Sequence, residues 1–236
     1  MDIELSNATK TVSRTTILDS FCLSCHSGEI VAVAGFHSSG KTTLLRALAG
    51  AVTLNSGELR YGGKSVFPDD PVISQSCFFL PATPPLVPGE TVLRNISRFL
   101  TRHPESGESD QIVENLKRFD LVEHAQTPVL ELSEDHARRV VFAVAATLNL
   151  PVWILDEPFS GELNDKTKSL IKEILQEATR AGKTVIYSNS EVEPGDSVAT
   201  RICVINRGQK YADCPPGELK KRAETDHLLS RLTGIG

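Results

Sequence analysis

Residues 35–43 form a glycine- and lysine-containing segment that restricts the folds open to this chain. An apolar run at residues 30–34 precedes it and a largely apolar run at residues 44–49 follows it, which predicts strand, loop and helix in that order. The G-x-x-x-x-G-K-T spacing is that of a phosphate-binding P-loop. A glycine-bearing turn that binds nothing is the alternative, but such a turn needs neither the strand nor the helix.

Each residue type in the P-loop has a predicted role. Because Gly35 and Gly40 allow backbone angles that other residues resist, consecutive N–H groups can turn toward a phosphate chain. The following helix points its positive end at the same anion. Lys41 is predicted to reach the β- and γ-phosphates, and the Thr42 hydroxyl to ligate Mg²⁺. The predicted nucleotide-binding residues of the loop are Gly35, Phe36, His37, Ser38, Ser39, Gly40, Lys41, Thr42 and Thr43.

Two acids end a second apolar run, at residues 152–155. Parallel α/β sheets bind ligands at the carboxyl ends of their strands, so Asp156 is expected beside the P-loop as a second Mg²⁺ ligand. Glu157 is predicted to be the catalytic residue that polarises the attacking water. Two surface acids that happen to end a strand are the alternative, and the P-loop in the same chain favours the functional interpretation. The chain is therefore expected to bind a nucleoside triphosphate with Mg²⁺.

Composition excludes several other classes of protein. The chain has 236 residues and a formal net charge of -5, which suits one α/β domain and disfavours a broadly basic nucleic-acid surface. No apolar run approaches the ~20 residues that cross a bilayer. Residues 1–4 lack the basic and apolar regions of a signal peptide. A cytoplasmic protein that meets a membrane only through a partner is expected.

The cysteines offer one competing interpretation. Residues 22–26 spell C-x-x-C-H, the attachment pattern of c-type haem. The surrounding residues predict a strand, in which Cys22 and Cys25 point to opposite faces. That arrangement suits neither haem nor zinc, so thiols of an ordinary strand are the better interpretation. The odd total of five cysteines also argues against a disulfide framework.

The order of predicted elements defines the fold class. Strands are predicted near the N-terminus and at residues 77–80, 152–155, 184–187 and 201–206. Three helices, at 91–102, from Asp110 and at 134–148, interrupt this series, with a polar linker at 103–109. The prediction is an α/β P-loop NTPase core with a parallel sheet, an antiparallel β subdomain and an inserted helical subdomain. One domain would span 1–236, with its core at 1–81 and 151–236 and the helical subdomain at about 82–150.

Several further motifs resemble one family, the nucleotide-binding subunits of ABC (ATP-binding cassette) transporters. The Glu131-Leu132-Ser133 segment stands where that family's signature begins. Residues 156–161, 182–186, 206–208 and 216–220 resemble its later motifs, and residues 226–234 are similar to the tail of short exporter ATPases.

The resemblance implies a mechanism. Two subunits would dimerise head to tail, with ATP and Mg²⁺ between the P-loop of one and Ser133 of the other. Closure and hydrolysis would drive a separate transmembrane permease, and the dimer could be a homodimer or a heterodimer with a second ATP-binding subunit. The chain would lie in the cytoplasm, peripheral on the inner face of the membrane through its partner.

The sequence departs from the family pattern at positions that serve closure. The residue expected to stack on adenine falls near Val12, the coupling glutamine is Ala82, and the switch histidine is Ser190. Glu134 and Asp135 replace the two signature glycines and are expected to bring negative charge near a triphosphate. The loop after residue 157 is predicted to be one residue longer than in the family, with Asn164 near the usual aspartate. We therefore expect Mg-ATP binding with slow hydrolysis by the chain alone.

Three functions compete at this point. A transporter ATPase subunit that energises export accounts for the most motifs. An ATP-gated dimerising scaffold or regulatory protein, with no transport role, is the alternative that the loss of glutamine at Ala82 favours. A small-molecule P-loop kinase would leave residues 131–133 unexplained.

Overall fold

The computed structural model describes residues 1–101, 103, 109–190 and 197–234. Its strands are β1 (Ile3–Val12), β2 (Thr15–Cys25), β3 (Ile30–Ala34), β4 (Ser56–Tyr61), β5 (Lys64–Val66), β6 (Cys77–Leu80), β7 (Val152–Leu155), β8 (Thr184–Asn189), β9 (Arg201–Asn206) and β10 (Gln209–Cys214). Its helices are α1 (Lys41–Leu48), α2 (Pro71–Ser76), α3 (Val92–Thr101), α4 (Ser109–Arg118), α5 (Glu134–Leu148), α6 (Asp165–Arg180), α7 (Pro216–Ala223) and α8 (His227–Thr233).

A six-stranded sheet with the order β10–β9–β3–β8–β7–β6 forms the centre of the molecule. The β9–β10 pair is antiparallel, and every other neighbouring pair is parallel. In register, Ala34 pairs with Asn189, and Leu155 pairs with both Tyr187 and Leu80. The carboxyl ends of β3, β6, β7 and β8 therefore meet at one edge of the sheet, which is where such sheets bind ligands.

A second, antiparallel sheet has the order β2–β1–β4–β5. Cys22 is exposed and Cys25 is buried on β2, so the two thiols point to opposite faces as expected. Burial raises the pKa of the Cys25 thiol above its ordinary value, as expected for an apolar core position. Within the described residues, no group of three or more His, Cys, Asp and Glu side chains could hold a metal ion.

The central sheet separates two apolar cores. On one face, Ala32 and Trp153 pack in a cluster with buried residues of α3, α5 and α6. On the other face, Val33 and Ile154 share a cluster with α1 and the antiparallel sheet. Alternate residues of each buried strand thus serve opposite faces, which is why β3 and β7 are apolar throughout. The α/β fold class predicted from the sequence is confirmed.

Several predicted elements have bounds close to those of the structure, whereas β5 and α2 were not predicted. α5 has the predicted bounds, and α6 begins one residue earlier than expected. The sequence analysis missed α2, although Asp70 caps it by accepting a hydrogen bond from the Val72 N–H and Pro71 occupies its first turn. The predicted helix end at Arg102 and most of the predicted linker, at 104–108, lie outside the described residues. No helix in the described part of the chain is both long and apolar enough to cross a membrane.

Candidate nucleotide-binding site

The P-loop connects the end of β3 to the start of α1, and its glycines are sterically required. A Cβ on Gly35 would lie 2.4 Å from the Ile205 carbonyl oxygen, and one on Gly40 would lie 2.8 Å from that of Ile17. Gly40 also has a φ of +113°. Ser38, where this family commonly has glycine, adopts a φ of +61°, which is costly for a residue with a side chain. The loop therefore keeps its turn even though one glycine is replaced.

Lys41 folds back over the loop that carries it. Its Nζ donates to the Gly35 carbonyl at 2.7 Å and to the Phe36 carbonyl at 3.2 Å, and lies 3.9 Å from Glu157 Oε1. Lys41 is only 7% exposed, and burial lowers the pKa of its ammonium, while the charges of Glu157 and Asp156 oppose that shift. The cation is thus held at the loop where phosphate oxygens would bind.

Asp156 and Thr42 meet as the sequence predicts. The Thr42 hydroxyl donates to Asp156 Oδ1 at 3.3 Å, and the carboxylate is 1% exposed. Ser188, at the end of β8, donates to the same oxygen at 2.7 Å. Carboxylate and hydroxyl oxygens are ligands that Mg²⁺ prefers, so the donor set fits this ion.

Ser188 also connects the two acids, a role that the sequence analysis missed. Its Oγ accepts a hydrogen bond from the Glu157 N–H at 2.8 Å while donating to Asp156. Glu157 has a φ of +49°, an unfavourable conformation for glutamate that this bond helps to hold. The available signal was a serine directly after the predicted strand 184–187, at the sheet edge where ligands bind.

Ser190 contacts the predicted catalytic residue. Its hydroxyl donates a short hydrogen bond, 2.5 Å, to Glu157 Oε1. The serine that replaces the switch histidine therefore orients Glu157, a contact that its short side chain had not led us to expect. Lys41 and Ser190 approach the same carboxylate oxygen.

An open cavity of about 730 Å³ connects these groups. Its lining residues are Ile17, His37, Ser38, Gly40, Lys41, Thr42, Thr43, Ala82, Glu157, Phe159, Ser160, Asn189 and Ser190. Ala82 and Ser190, which stand at the expected positions of the family's glutamine and histidine, both line this cavity. Val12 lies at the end of β1, 51% exposed, and is not among the lining residues.

Of the predicted site residues that do not line this cavity, Gly35, Phe36, Ser39 and Asp156 belong to the P-loop or contact it. Ser133 is the one that lies apart from the P-loop. It is exposed and caps α5, where its Oγ accepts a hydrogen bond from the His136 N–H at 3.2 Å and lies 2.8 Å from His136 Nδ1. One chain therefore brings the P-loop and Asp156 together with Glu157 but leaves Ser133 apart.

The expectation for Asp135 needs correction. Its carboxylate is buried, accepts hydrogen bonds from the Asn164 N–H and the Thr167 hydroxyl, and lies 3.0 Å from the Arg139 guanidinium. Burial alone would raise the pKa of Asp135, but these hydrogen bonds and Arg139 hold it below its ordinary value. Its charge is therefore compensated inside the chain. The exposed Glu134 accepts a hydrogen bond from the Glu162 N–H.

Known proteins share this fold and much of this sequence. Residues 18–160 match the family model described as ABC transporter. A cytochrome c biogenesis ATP-binding export protein of Yersinia pestis is 30% identical over 195 residues, which cover 81% of this chain and 86% of that protein. A sulfate/thiosulfate import ATP-binding protein of Pseudomonas aeruginosa is 29% identical over 239 residues, 98% of this chain and 72% of that protein.

Solved structures of ATP-binding cassettes have the same fold as this chain. An ATP-binding subunit of an ABC transporter matches with a TM-score of 0.86 at 18% identity, covering 98% of this chain and 99% of that chain. A dimeric ATP-binding cassette in a post-hydrolysis state, bound to ADP and Pi, matches with a TM-score of 0.80 at 22% identity, covering 91% and 98%. The matched family model covers more than half of the sequence and includes the P-loop and both acids. This chain belongs to the ABC transporter family of ATP-binding subunits.

Proposed function

We propose that this chain energises export as the ATP-binding subunit of an ABC transporter, and that it hydrolyses Mg-ATP slowly by itself. The observation that carries the proposal is that Lys41, Thr42 and Glu157 line one cavity together with Ala82 and Ser190, while Asp156 accepts a hydrogen bond from the Thr42 hydroxyl. Lys41, Thr42, Asp156 and Glu157 provide binding and chemistry. Ala82 and Ser190 stand at the positions that would serve closure and coupling.

The reaction follows from these groups. The loop N–H groups and Lys41 bind the phosphates, and Thr42 and Asp156 would hold Mg²⁺, which neutralises phosphate charge when it is bound. Glu157 orients the attacking water and accepts its proton. Attack on the γ-phosphorus breaks its bond to the bridging oxygen, giving ADP and phosphate.

Slow turnover has two physical causes in this proposal. Ala82 offers a methyl group where an amide would contact the metal and the water. Ser190 already donates its hydroxyl to Glu157, and a neutral serine adds no positive charge near the γ-phosphate. Both losses weaken stabilisation of the transition state more than binding of the ground state.

A head-to-tail dimer would complete the site. Ser133 lies outside the cavity of its own chain, and the N-terminus of α5 begins beside it. A second subunit could present that helix end to the nucleotide in the first, as the resemblance implies. We propose a permease as the membrane partner, with the chain peripheral on the cytoplasmic face.

Reconstitution tests the transport role. The chain, purified with its candidate permease in lipid vesicles, is expected to support ATP-dependent movement of cargo, and the Glu157→Gln variant is not. The competing scaffold function, which Ala82 favours, predicts a soluble ATP-dependent complex without a membrane protein. Assembly of that soluble complex, together with no binding to a permease, would contradict the transport proposal.

A further inference from the structure

A second cavity, of about 410 Å³, adjoins the P-loop; we call it the outer cavity. Among the described residues, it shares only His37 and Ser38 with the nucleotide cavity. Its other lining residues come from the P-loop itself, from the turn between β9 and β10, and from α8: Phe36, Ser39, Asn206, Arg207, His227, Leu228 and Arg231. Its volume lies within the range of small-molecule sites, roughly 300–1,000 Å³.

Within the described part of the chain, the titratable residues that line the outer cavity are all basic. They are His37, Arg207, His227 and Arg231, with no described aspartate or glutamate among them. The guanidinium of Arg231 lies over the Phe36 ring, 5.5 Å from its centroid, which orients the group. Within the described residues, no carboxylate forms an ion pair with any of the four.

Asp226, the acid next to His227 in the sequence, has hydrogen-bond partners on both of its carboxylate oxygens. Asp226, just before α8, accepts the Tyr211 hydroxyl hydrogen bond at 2.7 Å with one carboxylate oxygen. Its other oxygen accepts the Leu228 and Leu229 N–H groups as the cap of the helix. Its carboxylate oxygens are therefore engaged by Tyr211 and by the helix N-terminus, and no basic residue of the outer cavity is among their hydrogen-bond partners.

A buried hydroxyl provides a second, independent observation. Ser39 lines the outer cavity and is only 6% exposed, yet its Oγ has no hydrogen-bond partner among the described residues. Buried hydroxyls in proteins are usually hydrogen-bonded, so the Ser39 Oγ is an unsatisfied donor that lies beneath the wall of the outer cavity. The guanidinium groups of Arg207 and Arg231 are the donors that line the cavity for an anionic oxygen.

We propose that the outer cavity binds the phosphate group of a small anionic molecule, separately from the nucleotide in the P-loop. Arg207 and Arg231 supply charge-assisted hydrogen bonds to this group. Because His37 and Ser38 line both cavities, an anion there contacts the loop that holds ATP. This second site adds to the ATP-dependent function and does not depend on it.

Calorimetric titration with pyrophosphate tests the site in a Lys41→Ala background, which weakens the P-loop. Saturable binding is expected there, and adding Arg207→Ala with Arg231→Ala should raise the Kd about tenfold or more. The matched control removes two exposed lysines of α7, by Lys220→Ala with Lys221→Ala, and should change the Kd less than about twofold. If Lys41→Ala does not fold, the wild-type chain filled with a non-hydrolysable ATP analogue replaces it.

NMR of the His227 ring supplies a direct readout, with a saturable shift expected on addition of pyrophosphate. Equal Kd values for the arginine and lysine variants would overturn the proposal, as would the absence of saturable binding. It would also be overturned if the arginine variant altered only ATP-dependent self-association, because the basic face would then be a contact between subunits. ATP binding by the wild-type chain is measured separately, so its failure would be recognised as a failure of the proposed function.

Discussion

Ser188 determines the geometry of both acids at the carboxyl end of β7. Its hydroxyl accepts from the Glu157 N–H and donates to Asp156, and it lies fully buried at the end of the neighbouring strand. One side chain therefore positions a predicted metal ligand and a predicted general base.

The Ser188→Ala variant should weaken the magnesium dependence of ATP binding. We expect a loss of about 1–3 kcal/mol in the free energy of unfolding, because a buried N–H and a buried carboxylate lose their hydrogen-bond partner. ATP affinity measured with Mg²⁺ present should fall about tenfold. Urea denaturation and ATP titrations with and without Mg²⁺ measure both. Ser76→Ala, at a buried serine just before β6, is the control. Unchanged magnesium dependence would contradict this role.

Ala82 and Ser190 are the two residues to which slow turnover is assigned. The double variant Ala82→Gln, Ser190→His should raise kcat about tenfold or more, since it adds an amide and an ionisable ring to the cavity. Phosphate release under saturating Mg-ATP measures the change. Ala82→Met with Ser190→Phe fills similar space without those groups and should give no gain. A gain that survives Glu157→Gln would mean that another residue activates the water.

Hydrogen bonds connect the N-terminus of α5 to the segment that follows β7. Glu134 accepts from the Glu162 N–H, Asp135 accepts from the Asn164 N–H, and Arg138 donates to the Ser160 carbonyl at 3.3 Å. The two acids that replace the signature glycines thus anchor a loop. They also place negative charge at the positive end of a helix, which is favourable.

The Asp135→Asn variant should destabilise the chain by roughly 3–5 kcal/mol at neutral pH, because Arg139 would be left buried with its main partner neutralised. The folded-state pKa of Asp135 lies below its ordinary 3.8. Its contribution is therefore full above the unfolded pKa and is lost as the pH falls through the folded one. Urea denaturation from pH 7 to pH 3 should show the difference in unfolding free energy between the two proteins narrowing below about pH 4, by at most ~1.4 kcal/mol per pH unit. The exposed Asp165→Asn is the control, and a gap that stays constant with pH would contradict the assignment.

Local pattern predicts the elements better than it predicts the contacts between them. Residues 134–148 are predicted to the residue because an N-cap serine and a continuous apolar surface mark the helix. The helix at 71–76 was missed because its six residues show too little periodicity. The bridge through Ser188 depends on the register of two strands distant in sequence, which no local pattern specifies. The Asp135–Arg139 pair has helical i, i+4 spacing, a signal that was present and was overlooked.

At the scale of the whole molecule, the predicted site residues lie on two separate surfaces. The P-loop and both acids meet at the carboxyl edge of the central sheet, while Ser133 lies at the exposed start of α5. The P-loop half could be predicted from the sequence because the motif fixes the local backbone. How the two halves are used depends on a second subunit, which a single chain does not contain.

The Ser133→Ala variant should separate binding from assembly. At dilution, ATP affinity of the monomer should stay within about twofold, while ATP-dependent dimerisation should fall about tenfold or more. Ser133→Asp keeps the helix cap but adds a charge near a triphosphate, so it should impair dimerisation further. Light scattering with Glu157→Gln as the background measures the dimer, and Ser230→Ala is the control. A matching loss of ATP affinity in the monomer would contradict a role across subunits.

The most direct test of the account measures Mg-ATP binding and hydrolysis on one preparation of the purified chain. We predict saturable binding that Lys41→Ala weakens about tenfold or more, together with a kcat well below the ~1 s⁻¹ at which ordinary enzymes begin. The residual activity should disappear in Glu157→Gln. Turnover at the rate of an ordinary transporter ATPase, lost on Glu157→Gln, would contradict the claim that binding is retained while hydrolysis is impaired.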